Sequence, residues 1–175
     1  QITTFAATEA DLVSAFTINY TEEAIGVARA ASWLGMPAVI SFTVETDGKL
    51  PTGESLQAAI ERTDLATDGY PAYYMINCAH PSHFQDVLMP GSQWTRRLRG
   101  IRANASRMSH AQLNEATALD QAAPDDGLGI RASPGVDLGA IASRQDRHFG
   151  RSVFTPAAAA RGPGTAARRP GTVAS

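Results

Sequence analysis

Residues 71–83 read PAYYMINCAHPSH, and this stretch decides how the rest of the sequence is interpreted. An apolar and aromatic run leads into Asn77 and Cys78, and His80 and Pro81 then break the run. A short apolar run bounded by turn-forming residues indicates a buried strand. Cys78, the only cysteine in the sequence, is therefore predicted at the carboxyl end of a strand, where α/β sheets and barrels carry their chemistry.

Strands and helices alternate on both sides of this stretch. Residues 21–34 have apolar side chains at helical spacing, Thr21 as a capping hydroxyl, an acidic first turn and Gly35 as a left-handed end. Ser109 and Gln112 have the spacing of a capping box, which predicts another helix start. The predicted order is a loop before residue 11, a strand at 11–20, a helix at 21–34, a strand at 37–45, a helix at 55–67, the strand ending at Cys78, two short helical pieces within 84–98, a strand at 100–105 and a helix from 109 to about 120.

This alternation predicts an α/β fold with parallel strands joined by right-handed crossovers. A doubly wound sheet and a (β/α)8 barrel both give such a pattern. No strand is followed by the glycine fingerprint of a dinucleotide fold, which favours the barrel. A closed barrel takes about 250 residues and eight units, and four units are legible here. We therefore expect residues 1–121 to be a partial (β/α)8 TIM barrel and the sequence, which begins at Gln1, to be a piece of a longer protein.

Composition narrows the classes of partner and the cellular setting. Lysine and arginine number 15 against 17 acidic residues, so no bias toward nucleic acid or anionic membrane is expected. No apolar run approaches the roughly 18 residues that a membrane span requires. A single cysteine forms no disulfide within the chain, and a cytoplasmic protein is predicted. Residues 122–175 change to Pro, Gly and Asp and then to Ala, Arg, Gly, Pro and Thr, which predicts an irregular, disordered tail.

Three segments carry a family resemblance: PAVISFTVETDGKLPTGESLQAAI at 37–60, PAYYMINCAHPSHF at 71–84 and LRGIRANASRMSHAQLNEA at 98–116. Together they resemble the homocysteine S-methyltransferase family over about residues 5–121. The resemblance implies a (β/α)8 barrel that moves a methyl group from S-methylmethionine or S-adenosylmethionine to the thiol of homocysteine, giving methionine. It also implies that this chain supplies strands four to seven of that barrel.

The resemblance further implies a zinc ion held by three cysteines at the carboxyl end of the barrel. One of them closes an Asn-Cys strand end, and the other two are adjacent in a Gly-Gly-Cys-Cys-Gly turn. Cys78 is the expected zinc ligand here. Three protein ligands leave the fourth tetrahedral position for the substrate thiol, which zinc keeps deprotonated.

The sequence departs from this pattern because Gly-Gly-Cys-Cys-Gly occurs nowhere in it. Residues 157–160 are four alanines, and they begin 79 residues after Cys78, where the turn is due. A GC-rich codon string for Gly-Gly-Cys-Cys-Gly, read one nucleotide late, encodes four alanines. We therefore interpret the tail from near Ala122 as translated out of frame, and we expect this chain to be incomplete and inactive.

Three polar residues are candidates for substrate binding: Glu45 and Asn104 at strand ends, and Asn77 beside Cys78. Each has an alternative. Asn77 is equally suited to capping its own turn, and Glu45 to pairing with Lys49 or Arg102 in solvent.

Two other interpretations of the chain stay open. His80 and Glu45 would serve as acid and base in a generic barrel lyase or hydrolase, and the chain would have no catalysis if it is a truncated remnant. His80 and His83 lie near Cys78 in sequence, either as opportunistic metal ligands or as residues lining the site mouth. Half a barrel also leaves sheet edges open, which predicts self-association.

Overall fold

A computed structural model describes residues 1–89 and 91–117 of the chain. The prediction for the tail at 122–175 lies outside these residues. The last helix ends at Glu115, with Ala116 in extended backbone, and not near residue 120 as predicted. The elements, in chain order, are α1 (Ile2–Ala6), β1 (Val13–Ile18), α2 (Thr21–Trp33), β2 (Ala38–Thr43), α3 (Leu56–Thr67), β3 (Tyr73–Asn77), two 3₁₀ turns (Pro81–His83 and Gln85–Val87), α4 (Gln93–Arg97), β4 (Leu98–Arg102) and α5 (His110–Glu115).

The four strands form one parallel sheet in the order β1-β2-β3-β4. Each strand therefore pairs with its neighbour in sequence, and the order never reverses as it does in a doubly wound sheet. Helices α2 and α3 pack against each other, which places them on the same face of the sheet. The predicted α/β class with parallel strands is confirmed. An open parallel sheet whose strands follow the order of the chain agrees with a segment of a barrel wall, and a closed barrel stays a prediction.

The core lies between this sheet and its helices. All six residues of β2 are buried, as expected for a central parallel strand covered on both faces. Phe42 of β2 stacks on Tyr74 of β3, with the ring centres 6.0 Å apart. Tyr74 then donates a hydrogen bond to Asp64 of α3 at 2.7 Å, and Asp64 is also bound by Arg97 of α4. This cluster ties two helices to the middle of the sheet.

The opposite face of the sheet carries the side chains that matter for the site. Ser41 and Asn77 lie on this face, since Phe42 and Ile76, their neighbours in sequence, pack into the helix-side core. Phe16 of β1 and Arg102 of β4 also meet there, with the guanidinium 6.0 Å from the ring centre. Those residues belong to the first and last strands, three spacings of about 4.8 Å apart. Their contact indicates that the sheet curves toward this face.

Several sequence predictions require correction. Residues 2–6 form a short helix where a loop was expected. The fourth strand spans Leu98–Arg102 and so begins two residues before the predicted start, because Leu98, directly after α4, already pairs with Tyr74. Thr21 does not cap α2: its hydroxyl is buried and donates to Glu54 at 2.6 Å. The capping box of Ser109 and Gln112 is confirmed, with both reciprocal bonds present.

Candidate functional site

Polar side chains gather where β2, β3 and β4 end. Parallel strands bring their carboxyl ends to one edge of a sheet, so residues far apart in sequence become neighbours there. Thr43 and Asn77 end their strands side by side in the sheet register. Arg102 lies opposite Asn77 on the far side. Glu45, Cys78 and Asn104 follow these strands within two residues.

Asn77 is the centre of this edge. It is fully buried, and its amide takes part in four hydrogen bonds. The oxygen Oδ1 accepts from the Thr17 backbone N–H at 3.0 Å and from the Ser41 hydroxyl at 2.6 Å. The nitrogen Nδ2 donates to the Thr17 hydroxyl at 2.9 Å and to the Cys78 sulfur at 3.0 Å. The side chain therefore reaches across β2 and connects the ends of β1 and β3.

Both backbone segments that Asn77 contacts have unusual geometry. Thr17 has φ 60° and lies in a bulge between β1 and β2, and Cys78 has φ 56°. Left-handed backbone is unfavourable for residues with a Cβ, so neighbouring contacts must hold it in place. The Cys78 N–H donates to the Arg102 carbonyl at 3.1 Å. This turn leaves the Cys78 thiol free of any disulfide and half-buried at the strand end.

His110 joins three of the elements at this edge. It is the first residue of α5, directly after the Ser109 cap. Its Nδ1 lies 3.0 Å from Oε1 of Glu45, and its Nε2 lies 2.8 Å from the Cys78 carbonyl oxygen. The Thr43 hydroxyl is 3.5 Å from the same Nε2. The imidazole therefore bridges the ends of β2 and β3.

The two main partners of His110 are both hydrogen-bond acceptors, which favours the imidazolium, the form with an N–H on each nitrogen. Burial by itself lowers the pKa of His110. The hydrogen bonds that the ring donates to Glu45 and to the Cys78 carbonyl, together with the negative charge of Glu45, outweigh burial, so the pKa of His110 is raised above its ordinary value of 6.5. The result is an oriented ring beside the Cys78 turn, held by two acceptors.

The residues singled out from the sequence are placed as follows. Glu45 binds His110, whereas its expected partners bind elsewhere: Lys49 pairs with Asp47, and Arg102 lies over Phe16. Asn104 is half-buried, and its N–H donates to the Ala79 carbonyl at 3.0 Å. Glu45, Cys78 and Asn104 thus share the carboxyl edge.

The two histidines after Cys78 lie in the following loop. His80 accepts a hydrogen bond from the Ser82 N–H and thereby caps the first 3₁₀ turn. His83 lies 2.9 Å from the Arg107 carbonyl. No contact joins His80 to Glu45 among the described residues, so the acid–base pairing of these two gains no support.

Sequence reasoning missed His110. The signal was present, because the capping box places His110 at the first position of a helix that follows a strand end. The spacing does not reveal that the ring turns back to Glu45 and Cys78, which lie 65 and 32 residues away.

The described residues do not by themselves fit a zinc ion. No group of three or more His, Cys, Asp or Glu residues in that part of the chain is arranged to hold a metal. Cys78 supplies one sulfur, and the full sequence contains no other cysteine. A catalytic zinc site requires about three protein ligands.

One cavity among the described residues lies away from the carboxyl edge. It measures about 760 Å³ and lies beside α1, α2 and the first half of β1, with an apolar lining that includes Phe5, Val13 and Trp33. None of the residues that line it is Glu45, Asn77, Cys78 or His110. No helix in residues 1–89 or 91–117 has the length and apolar content to cross a membrane.

Comparison with known proteins identifies one family. A family model described as homocysteine S-methyltransferase matches residues 1–127. No curated protein and no solved structure matches the chain.

Proposed function

The chain belongs to the homocysteine S-methyltransferase family, and from that premise we propose that its fold serves methyl transfer to the thiol of homocysteine. S-methylmethionine or S-adenosylmethionine is the proposed donor, and methionine is the product. The bond between the methyl group and the donor sulfonium breaks as the new carbon–sulfur bond forms. The donor leaves as a neutral thioether, and the thiol proton passes to solvent. The family match over residues 1–127 is the observation that carries this proposal.

The carboxyl edge is the proposed place of this chemistry. Cys78 lies there on a rigid turn, with its sulfur held by the Asn77 amide at 3.0 Å. We assign Cys78 the position of a zinc ligand, in keeping with the family. Because no second cysteine exists in the chain, we propose that this chain alone does not complete the metal site and does not turn over.

Glu45 and Asn104 are the proposed contacts for the amino-acid part of the substrate. One oxygen of Glu45 binds His110, and its Oε2 takes part in no hydrogen bond within the described residues. That oxygen is suited to a substrate ammonium group. The substrate role of Asn77 stays a prediction, and its four bonds inside the protein favour the alternative, a support for its own turn.

A direct assay tests the proposal. The purified chain is incubated with zinc, homocysteine and each donor in turn, and methionine is measured by mass spectrometry. We expect no methionine above the protein-free control, and less than one zinc per chain by elemental analysis. Turnover together with one bound zinc per chain would overturn the proposed inactivity. Turnover of neither donor by a chain that does bind one zinc would count against the methyl-transfer assignment.

The proposed origin of the inactivity lies in residues 122–175, which we propose to be out of frame. The end of the family match at residue 127 supports a boundary near Ala122. Sequencing the source DNA decides the matter. We expect adjacent Cys-Cys codons in another frame near codon 157, and their absence would remove this explanation.

We also propose a cytoplasmic protein that associates with itself. Strands β1 and β4 each pair on one side only among the described residues, and unpaired strand edges favour association. Size-exclusion chromatography at several concentrations tests this, and a sharp monomer peak throughout would refute it.

A further inference from the structure

We infer that His110 is a positioning residue for Cys78: its ring ties Glu45 to the Cys78 carbonyl and thereby sets the direction of the sulfur. The inference rests on the proposed function only in taking Cys78 as the residue around which the site is built. Everything else in it depends on contacts between residues of this chain.

The Cys78 turn is held from three directions. The N–H of Cys78 donates to Arg102 at 3.1 Å, the sulfur accepts from Asn77 at 3.0 Å, and the carbonyl accepts from His110 at 2.8 Å. Each contact comes from a different part of the chain. His110 is the one that holds the peptide after Cys78, since that peptide contains the carbonyl.

The backbone of that turn is strained. Cys78 has φ 56°, a conformation that a residue with a Cβ adopts only when its surroundings enforce it. Relaxing φ requires rotation about the N–Cα bond of Cys78, which moves its carbonyl and its Cβ together, and the bond from His110 to that carbonyl opposes this rotation. When the backbone relaxes, the Cα–Cβ bond changes direction and the sulfur leaves the Asn77 amide.

Glu45 sets the orientation of the His110 ring. Nδ1 of His110 lies 3.0 Å from Glu45, whose carboxylate orients the ring so that Nε2 faces the Cys78 carbonyl. Both nitrogens are engaged, so the ring has no nitrogen available as an acid or base for a substrate. His110 therefore acts through Cys78 and not on the reacting atoms.

Alkylation of Cys78 tests the inference, because a chain with one cysteine reports on one sulfur. The rate with iodoacetamide is measured on the full chain between pH 6 and 9, and the profile is fitted for the rate constant of the thiolate. The fit separates the accessibility of the sulfur from the fraction of the thiol that is ionised at each pH. The measurement needs neither metal nor substrate, so its outcome is independent of whether methyl transfer occurs.

We expect His110→Ala to raise the thiolate rate constant about five-fold, the change that follows from losing one ordinary hydrogen bond. Free imidazole should restore the parent rate by occupying the vacated space. His110→Gln, which keeps an amide donor for the carbonyl, should fall within two-fold of the parent. If His110→Ala does not fold, as judged by circular dichroism, then Glu45→Ala takes its place and should show the same increase.

The matched control is His83→Ala, which removes another imidazole bound to a backbone carbonyl, that of Arg107 at 2.9 Å. We expect its rate to stay within two-fold of the parent. The inference is overturned if folded His110→Ala reacts like the parent, if imidazole has no effect on it, or if His83→Ala gives an equal increase.

Discussion

Replacement of Asn77 by alanine is the most informative perturbation of this protein. The Ser41 hydroxyl is completely buried and donates to Asn77 Oδ1, so truncation leaves it without that acceptor. A buried polar group left unsatisfied costs about 1–3 kcal/mol. The bonds to Thr17 and Cys78 each contribute about 0.5–1 kcal/mol, since those residues are partly accessible to water. We therefore expect Asn77→Ala to lower the free energy of unfolding by about 3 kcal/mol.

Urea unfolding followed by circular dichroism measures this change. Asn104→Ala is the matched control, because Asn104 also follows a strand at this edge but its side chain has no hydrogen bond within the described residues. We expect that variant to lose less than about 1 kcal/mol.

A double variant examines the cause of the loss. Removing both partners of a buried hydrogen bond is less costly than removing one. Ser41→Ala combined with Asn77→Ala should therefore be more stable than Asn77→Ala alone. A loss below about 1 kcal/mol for Asn77→Ala, or a double variant that is less stable than Asn77→Ala, would refute the reasoning.

Three further predictions concern stability, each measured by urea or thermal unfolding. Arg97→Lys should lose about 2 kcal/mol, because lysine cannot reproduce the two parallel bonds from Nε and Nη2 to the Asp64 carboxylate; a loss near zero would contradict this. Burial raises the pKa of Tyr74 above 10.0, and the hydrogen bond and charge of Asp64 add to the shift. The Tyr74 hydroxyl therefore loses its proton at a lower pH in the unfolded chain than in the folded chain. Its contribution to stability is fully present below pH 10 and is lost as the pH rises above 10, and Tyr74→Phe should flatten this alkaline decline. Gly48 has φ 74°, and a Cβ there would lie 3.0 Å from a backbone carbonyl oxygen, so Gly48→Ala should cost about 2 kcal/mol; Gly26→Ala in helix α2, where nothing lies within 4 Å, should instead stabilise by up to about 1 kcal/mol.

Local patterns predicted the elements well where the residues themselves carry the signal. The helix at 56–67 begins after Ser55, whose side chain accepts from the Ala58 N–H, as a hydroxyl at that position should. Helix α2 ends just before Gly35, which has φ 65°. The strand before Cys78 was found from its apolar run, because β3 is buried in the middle of a parallel sheet.

The predictions that missed concern places where distant residues decide the structure. The start of β4 at Leu98 depends on pairing with Tyr74, which no pattern in residues 98–105 expresses. The Thr21 hydroxyl looked like a helix cap, but its partner is Glu54, which lies in the loop before helix α3. The choice for Asn77 between substrate and turn stays a prediction, but its bonds to Thr17 and Ser41, 60 and 36 residues away, are likewise expressed by no local pattern.

An α/β chain with parallel strands could be established from the helical spacing of apolar residues, the capping residues and the apolar strand that ends in Asn-Cys. The motifs in the sequence were sufficient to indicate the family. These features act between residues close in sequence, so they are legible without coordinates. Which side chains meet at the carboxyl edge was decided by the tertiary structure alone. The pairing of β2 with β3 and the return of α5 bring Glu45, Cys78 and His110 together, and such contacts depend on strand register and sheet curvature, which arise only when the whole sheet packs against its helices.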